Sequence, residues 1–257
     1  MIVDCFPFFN ELDVLEIRLH ELAPVVDRFV LCEATLTHSG KPKPLVFRDN
    51  RKRFADFPIT SVLVDDYTNI DITDAWALER HQRQVGVSAA VELFHPDLLI
   101  VSDCDEIPSA DAVRAASANA APTQTLDMGM YYYYLNCRCD SLRWQRGQIV
   151  RPNGDRPNAR QIRRTRHAPM LPHGGWHFSY LGGVAKIQEK LAAFAHREKD
   201  VPQWNDPDEI AIRIASGSDL FDRDEKYRFV VDSTLDALPR YVQDNPARFA
   251  EYLCASR

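Results

Sequence analysis

The sequence predicts an α/β fold, in which helices cover both faces of a mainly parallel sheet. The first half of the chain alternates strand-like and helix-like hydrophobic patterns, which is typical of such a sheet. The run Leu98 to Val101 is continuously apolar, as expected of a strand that is buried on both faces. The 257 residues suffice for one large domain with a well-buried core.

Hydrophobic spacing places the elements of the first half in order. Residues 2–6 read as a strand, and the following helix at 11–22 carries leucines at helical intervals. Further strands are predicted at 28–32, 59–64 and 97–101, a short helix at 49–57 and a long helix at 74–94.

The second half is less regular. Strands are predicted at 125–135, which includes four consecutive tyrosines, and at 176–181, and helices at 183–196, 206–216 and 246–253. Residues 138–166 hold nine arginines and two aspartates, a composition that predicts a long mobile flap. Because no linker divides the chain, we predict a single domain spanning 1–257.

Composition excludes some classes of function. A net charge of −6 argues against general nucleic-acid binding, which depends on excess Lys and Arg. No targeting segment is recognisable, and no run reaches the roughly 20 apolar residues of a membrane span. Six irregularly spaced cysteines favour reduced thiols. We therefore expect a cytoplasmic protein.

The sharpest chemical signal is the acidic motif, Ser102 to Glu106, which follows the fourth predicted strand. In parallel sheets, ligands bind beyond the carboxyl ends of the strands, and this motif lies there. Clustered carboxylates repel one another unless a cation such as Mn²⁺ or Mg²⁺ is present. The alternative is a helix N-terminus, where acids are favoured by the helix dipole. With a metal site, we expect Asp105→Asn to relieve repulsion and leave the melting temperature unchanged or higher.

A second enzyme class shares part of this pattern. Phosphatases of the haloacid-dehalogenase type use an Asp-x-Asp at a strand end, usually with Thr or Val two residues after the second Asp. Here that position is Ile107, and three predicted strands precede the motif, so this alternative fits less well.

Several segments in order along the chain resemble glycosyltransferase family 17. They are Asp4-Cys5-Phe6, Phe8 to Asp13, Leu15 to Leu19, Phe29-Val30 with Glu33 and Thr37, Gly40 to Leu45, Glu79 with Gln82-Arg83, Ser102 to Pro108, Gly175 to Ser179, Pro202 to Asp206, Pro239 to Val242 with Asn245, and Arg248-Phe249 with Tyr252-Leu253. Gln84 departs from the family pattern, which has Asn there, and the arginine-rich stretch matches no part of it.

The resemblance implies a GT-A type glycosyltransferase fold, with a nucleotide-sugar-binding half at 1–108 and an acceptor-side half at 109–257. It also implies an inverting, metal-dependent transfer with UDP-N-acetylglucosamine as the default donor and Mn²⁺ or Mg²⁺ as the cofactor. The acceptor would be a saccharide or a lipid-linked saccharide, which allows peripheral membrane contact. The rival class is a non-catalytic sugar-nucleotide or glycan-binding module on the same fold.

Donor-binding residues are assigned on position and resemblance. Arg83 lies one helical turn after Glu79, either as a surface salt bridge or as an arginine that Glu79 orients toward the diphosphate. Asn10 is either a helix N-cap or a donor contact. The full predicted donor set is Phe6, Asn10, Glu11, Glu33, Arg83, Asp103 and Glu106.

Metal, acceptor and base residues complete the predicted site. Asp103, Asp105 and His177 are the expected metal ligands, although His177 could equally be an ordinary strand histidine. Trp176 and Tyr132 are expected at the acceptor, with core packing as the alternative. An inverting transfer needs a general base. The candidates are Asp206 and Glu209, with Asp208 and Glu198 left open beside them.

Overall fold

The computed structural model describes residues 1–153, 157–224 and 226–255. Its strands are β1 (Ile2–Phe8), β2 (Arg28–Ala34), β3 (Ile59–Val64), β4 (Leu98–Val101), β5 (Glu106–Pro108), β6 (Thr123–Tyr132), β7 (Cys137–Trp144), β8 (Gln148–Val150), β9 (Met170–Ser179) and β10 (Val230–Val231). Its α-helices are α1 (Leu12–Leu22), α2 (Val46–Asn50), α3 (Ala75–Phe94), α4 (Ala110–Ala118), α5 (Ala159–Arg164), α6 (Gly183–Ala193), α7 (Pro202–Asn205), α8 (Pro207–Ser216) and α9 (Arg240–Asp244).

The strands form one sheet in the order β10-β7-β6-β8-β4-β1-β2-β3, with β9 beside β6 and β5 beside β9. Strands β4, β1, β2 and β3 are parallel to their neighbours within this group. The predicted α/β class is therefore confirmed, and β3 has the bounds that the sequence predicted.

Helices cover both faces of this parallel part. On one face Phe6 and Phe8 of β1 pack with Leu15 and Leu19 of α1. On the other face neighbouring β1 residues pack against Val87 and other residues of α3. Alternate residues of a strand point to opposite faces, so β1 is apolar on both sides because each side meets a helix.

The second half extends the same sheet with antiparallel strands. β8 pairs with β4, β6 pairs with β8 and β7, and β10 pairs with β7. The central part of the sheet is mostly parallel, as predicted, and the second half adds these antiparallel pairs together with one parallel pair, β6 with β9. Strands from residues 1–108 and strands from residues 109–257 belong to one hydrogen-bonded sheet. The predicted boundary at residue 108 therefore does not divide the sheet.

The prediction of a long flap at 138–166 is wrong for the described residues of that segment. Strand β7, strand β8 and helix α5 occupy most of it, and residues 154–156 lie outside the described part. Pairs of small or apolar side chains between the arginines are buried, among them Ile149 with Val150 and Ala159 with Ile162. These buried pairs fix the segment to the core, while the arginines between them reach outward or toward ion-pair partners.

Three other expectations are corrected. Strand β6 ends at Tyr132, where the chain turns through a left-handed φ of 69° at Tyr133, and the first three tyrosines of the run are all buried. The predicted helix at 246–253 is only a short 3₁₀ turn, Ala250–Tyr252, preceded by α9. The short helix predicted at 49–57 begins earlier, at Val46.

The C-terminal segment returns to helix α1. The hydroxyls of Tyr241 and Tyr252 each donate to α1 carboxylates, of Glu16 and Asp13 respectively, at 2.7 Å. Arg248 donates to Asp13 at 2.6 Å. These contacts join the two ends of the chain around the first helix.

All six cysteines are unpaired, in line with the prediction of reduced thiols; five are buried and Cys254 is half-buried. Among the described residues, no helix combines the length and the apolar character needed to cross a membrane.

Candidate active site

The acidic motif lies at the carboxyl edge of the parallel strands, directly after β4. Asn10 and Glu11 follow β1, the neighbouring parallel strand, and therefore reach the same edge. The structure thus brings together the polar residues that follow β1 and β4, as the sequence predicted.

A fully buried ion pair lies beneath the motif. Arg18 of α1 binds both carboxylate oxygens of Asp4 at 2.6 and 2.7 Å. The same guanidinium donates to the carbonyl oxygens of Asp103 at 2.9 Å and Glu106 at 2.8 Å. Breaking a buried pair of this kind leaves an uncompensated charge and is strongly destabilising. Arg18 therefore fixes the backbone of the turn that presents the acids.

Two arginines hold Asp103. Arg83 of α3 donates to one carboxylate oxygen at 2.7 Å, and Arg163 of α5 donates to the other at 3.1 Å. Burial raises the pKa of Asp103, but the charges of Arg163 and Arg83 outweigh it and lower the pKa to about 2. Glu79 does contact Arg83, at 2.8 Å, and in this structure the arginine is directed at Asp103.

Glu106 is fully buried and acts as a support for the motif. Its carboxylate accepts from the indole of Trp144 at 2.6 Å, from Arg163 at 2.7 Å and from the backbone N–H of Asp103 at 2.9 Å. Since no part of the side chain is exposed, the prediction that Glu106 contacts the donor is not supported by its position.

Asp105 has different partners. Lys190 of α6 donates to its Oδ2 at 2.6 Å, and Nε2 of His177 lies 3.7 Å from the same oxygen. Burial raises the pKa of Asp105, but the charges of Lys190 and His177 outweigh it and hold the pKa well below its usual range. The idea that the acids lack cations of their own is therefore wrong: Arg83, Arg163 and Lys190 supply them.

Asp105 and His177 are the residues here that fit a divalent ion. Adjacent ligands of an octahedral ion with bonds of about 2.1 Å lie about 3 Å apart, so the two atoms, now 3.7 Å apart, would move slightly closer to share an ion. Nδ1 of His177 faces the sulfur of Met130 at 3.1 Å, which leaves Nε2 toward Asp105. Both oxygens of Asp103, by contrast, already bind guanidinium groups.

Within the described ranges, no group of three or more His, Cys, Asp or Glu side chains is arranged to hold a metal. Mg²⁺ sites that take one or two carboxylates commonly complete the shell with water and substrate phosphates. Two protein ligands at Asp105 and His177 are compatible with such an ion bound together with a diphosphate.

Helix α6, in the second half of the chain, borders the motif. Besides Lys190, it provides Glu189, whose carboxylate accepts from the side-chain amide of Asn10 at 2.8 Å. Asn10 therefore tethers α6 and does not cap α1, which has no side-chain N-cap bond. The charge of Lys190 also acts on Glu11: burial raises the pKa of Glu11, while the charge of Lys190 lowers it.

Three predicted site residues lie elsewhere. Phe6 is fully buried under the guanidinium of Arg18, 4.4 Å from the ring centroid, because its position on β1 points toward α1. Glu33 is buried and accepts from the backbone of Phe47 at 2.8 Å, at the start of α2. Tyr132 is buried and stacks on Phe229 at 4.2 Å. Their burial removes all three from contact with a substrate.

Trp176 is on the other side of its strand from His177. Its indole donates to the carbonyl of Ala237 at 2.6 Å and borders a separate cavity of about 650 Å³. The preceding glycines serve strand packing, since a Cβ on Gly175 would lie 2.0 Å from the carbonyl oxygen of Ile107. The glycines thus allow the backbone of β5 to approach closely. The Trp176 side chain is directed at Ala237 and away from the acidic motif.

Three of the four candidate bases, Asp206, Glu209 and Glu198, make local side-chain contacts. Asp206 caps α8 by accepting from the backbone of Asp208 and Glu209 at 2.9 and 3.1 Å. Glu209 pairs with Arg213 at 3.4 Å. Glu198 pairs with His196 at 2.7 Å on the surface. None of these described contacts involves the acidic motif, so the structure does not bring the predicted bases to it.

Sequence reasoning missed Arg18, Lys190 and Trp144 as partners of the motif, and it treated Arg163 only as part of the arginine-rich stretch 138–166. Arg18 had a signal, because it shares the apolar helix face of Leu15 and Leu22 at spacings of three and four residues. The other three reach the motif from distant elements, and no local pattern distinguishes them from surface residues.

Gln84, the departure from the family pattern, has a structural role. Its carbonyl oxygen accepts from the backbone N–H of Ala159 at 2.9 Å, and its amide donates to the carbonyl of Pro157 at 3.1 Å. Gln84 therefore docks the start of α5, the helix that carries Arg163 to Asp103.

Comparison with known families agrees with this geometry. The family model described as glycosyltransferase family 17 matches residues 1–253, nearly the whole chain. The chain belongs to glycosyltransferase family 17. This confirms the resemblance found in the ordered sequence segments and places the protein among glycosyltransferases.

Relatives in this family include the beta-1,4-mannosyl-glycoprotein 4-beta-N-acetylglucosaminyltransferases of human and rat. The human protein is 27% identical over an alignment covering 93% of this chain and 52% of its own length. The rat protein is 27% identical over 80% of this chain and 44% of its own length. This family 17 chain spans about half the length of these relatives.

Among solved structures, the family 17 chain aligns with two crystal structures of Staphylococcus aureus TarS 1-349 at low structural similarity. One crystal structure aligns at 11% identity with a TM-score of 0.36, over 50% of this chain and 36% of TarS. A second, in complex with UDP, aligns at 10% identity with a TM-score of 0.43, over 73% and 62%.

Proposed function

We propose that this family 17 protein transfers a sugar from a UDP-sugar to a hydroxyl of a saccharide or lipid-linked saccharide acceptor, with inversion. N-acetylglucosamine is the first candidate sugar, because the curated relatives are named for its transfer. The observation that carries the proposal is the pair Asp103 and Asp105 at the carboxyl edge of the parallel strands in a chain of this family.

The proposal includes a divalent ion, Mn²⁺ or Mg²⁺, held by Asp105 and His177. Such an ion would neutralise the departing diphosphate. Arg83 and Arg163, each 11% exposed, fix Asp103 beside it and bring positive charge to the same edge. Asp103 is thus assigned to positioning, and metal ligation to Asp105 and His177.

The general base in this proposal is Glu11. It follows β1 at the edge that carries the acidic motif, and its Oε2 is fixed by the backbone N–H groups of Phe9 and Asn10 at 3.1 and 3.0 Å. Burial raises the pKa of Glu11, which favours proton acceptance from a sugar hydroxyl. Asp206 and Glu209 are local surface contacts and are not carried forward.

Turnover of UDP-N-acetylglucosamine tests the proposal. With Mn²⁺ we expect transfer to a saccharide acceptor or slow donor hydrolysis, and we expect loss of both in EDTA. Glu11→Gln should lower kcat by about 10² to 10⁴ while UDP still binds. Glu21→Gln is the matched control, since Glu21 lies at the opposite end of α1 from Glu11 and its side chain accepts from the backbone of Ala110.

Two results would contradict the proposal. UDP binding without turnover of the donor in the presence of Mn²⁺ and several saccharides would identify a non-catalytic binding module. Release of phosphate from a phosphomonoester would instead support the phosphatase reading of the acidic motif.

We also propose a cytoplasmic location, which the six unpaired cysteines support.

A further inference from the structure

Lys190 occupies an unusual position for a lysine. Its ammonium lies 2.6 Å from Oδ2 of Asp105, 3.5 Å from the hydroxyl of Ser179 and 5.2 Å from the ring centroid of Tyr180. The side chain nevertheless keeps 27% of its surface exposed. The charge is therefore bound to the acidic motif, on a side chain that is only partly buried.

Lys190 and a divalent ion compete for one oxygen. Nε2 of His177 and Nζ of Lys190 both approach Oδ2 of Asp105, so an ion shared by Asp105 and His177 would lie against the ammonium. Two cations within about 4 Å repel each other strongly in a partly buried site. The ammonium must leave Asp105 when the ion arrives.

The helix that carries Lys190 is anchored by contacts that do not involve Asp105. Ile187 and Leu191 of α6 are buried, and Glu189 is bound to Asn10 at 2.8 Å. A lysine is a point charge on a flexible four-carbon chain, so the ammonium can move while its backbone does not. In the proposed complex, the donor supplies a diphosphate as a new anionic partner for the released ammonium.

We propose that Lys190 is an exchangeable cation, which pairs with Asp105 in the metal-free protein and with a donor phosphate once a divalent ion binds Asp105. This inference rests on the proposed function. It gives Lys190 two roles: it neutralises Asp105 before the metal arrives, and it makes donor binding depend on the metal.

Calorimetry with Mn²⁺ and UDP tests the exchange. Without nucleotide, Lys190→Met should bind Mn²⁺ at least tenfold more tightly than the wild type, because the competing charge is gone. With saturating Mn²⁺, the same variant should bind UDP at least tenfold more weakly. Lys186→Met is the control: it is one turn away on α6, half-exposed and paired with Glu189, and should change neither affinity.

Each outcome decides a different point. Equal or weaker Mn²⁺ binding by Lys190→Met overturns the exchange, and unchanged UDP affinity overturns the phosphate contact. Wild-type protein that binds UDP but no Mn²⁺ overturns the metal part of the proposed function as well. If Lys190→Met fails to fold, Lys190→Gln removes the charge, keeps a donor toward Asp105 and should give the same two shifts.

Discussion

At the residue scale, the acidic motif is compensated by side chains from three helices. Arg83 comes from α3, Arg163 from α5 and Lys190 from α6. The sequence analysis treated the acids as mutually repelling, and on that basis Asp105→Asn was expected to preserve or raise stability. That expectation leaves out Lys190, whose ammonium lies 2.6 Å from Oδ2 of Asp105. Repulsion is also present, since the charge of Asp105 raises the pKa of Asp103.

Asp105→Asn should instead destabilise the metal-free protein. The substitution leaves the Lys190 ammonium without its carboxylate in a partly buried site, which we expect to lower the free energy of unfolding by about 1 to 3 kcal/mol. Urea denaturation in EDTA measures this change. Asp111→Asn is the control, because Asp111 is 93% exposed, and it should cost less than about 1 kcal/mol. A variant at least as stable as the wild type would show that repulsion dominates at Asp105.

Residues of the site were predictable where the signal is local. Asp103 and Asp105 follow a buried strand directly, and the structure places His177 opposite Asp105 through the β5–β9 pairing of Glu106 with His177. Arg163 and Lys190 were not predictable as partners. They lie 60 and 85 residues from their acids, and only the tertiary fold determines which arginine or lysine arrives there.

At the element scale, helix α5 is six residues long and depends on its docking. Gln84 accepts from the backbone of Ala159 and donates to Pro157, so Gln84→Ala should loosen the start of α5. We expect amide hydrogen exchange at 159–164 to become about tenfold faster, which corresponds to about 1.4 kcal/mol. Activity should fall with it, because Arg163 loses its fixed position.

Gln161→Ala is the control for the docking of α5. Gln161 is exposed on the same helix, so its truncation should leave exchange and activity close to those of the wild type. Unchanged exchange in Gln84→Ala would mean that the buried side chains of Ala159 and Ile162 hold the helix without it.

Elements of the first half were predictable because each follows one clear period. The four parallel strands are apolar runs separated by amphipathic helices, and their bounds differ from the prediction by a few residues. In β7, β8 and α5 the buried residues come in short pairs between arginines. Such pairs are too short to show a period, and the partners that order them are distant along the chain.

At the scale of the whole molecule, stability should fall in acid. Asp103, Asp105, Asp13, Glu16 and Asp219 all have a pKa below the ordinary value: burial opposes this shift, and neighbouring Arg, Lys, His or hydrogen-bond partners outweigh it. A carboxyl with a lowered folded-state pKa contributes stability above its unfolded pKa, about 4, and loses it as pH falls through the folded value, about 2 for Asp103.

Urea denaturation between pH 6 and pH 2.5 measures this dependence. We expect a near-constant free energy of unfolding down to about pH 4.5 and a steep decline between about pH 4 and pH 2. The raised pKa of Glu11, caused by burial, acts in the opposite sense and slightly reduces stability above about pH 4.3. Asp103→Asn should flatten the decline. Stability that is level from pH 4 to pH 2.5 would show that these ion pairs contribute little.

The burial of the thiols has a practical consequence. Burial raises the pKa of Cys5 and Cys104 well above the ordinary value and that of Cys32 and Cys137 to about 12, whereas Cys254 is half-buried near the end of the chain. Only a thiolate reacts readily with maleimide. A fluorescent maleimide should therefore label the native wild-type protein at Cys254 alone and all six cysteines in urea. Because the backbone of Cys254 is bound to Asn136 at 2.9 Å, that single dye would report directly on release of the C-terminal segment.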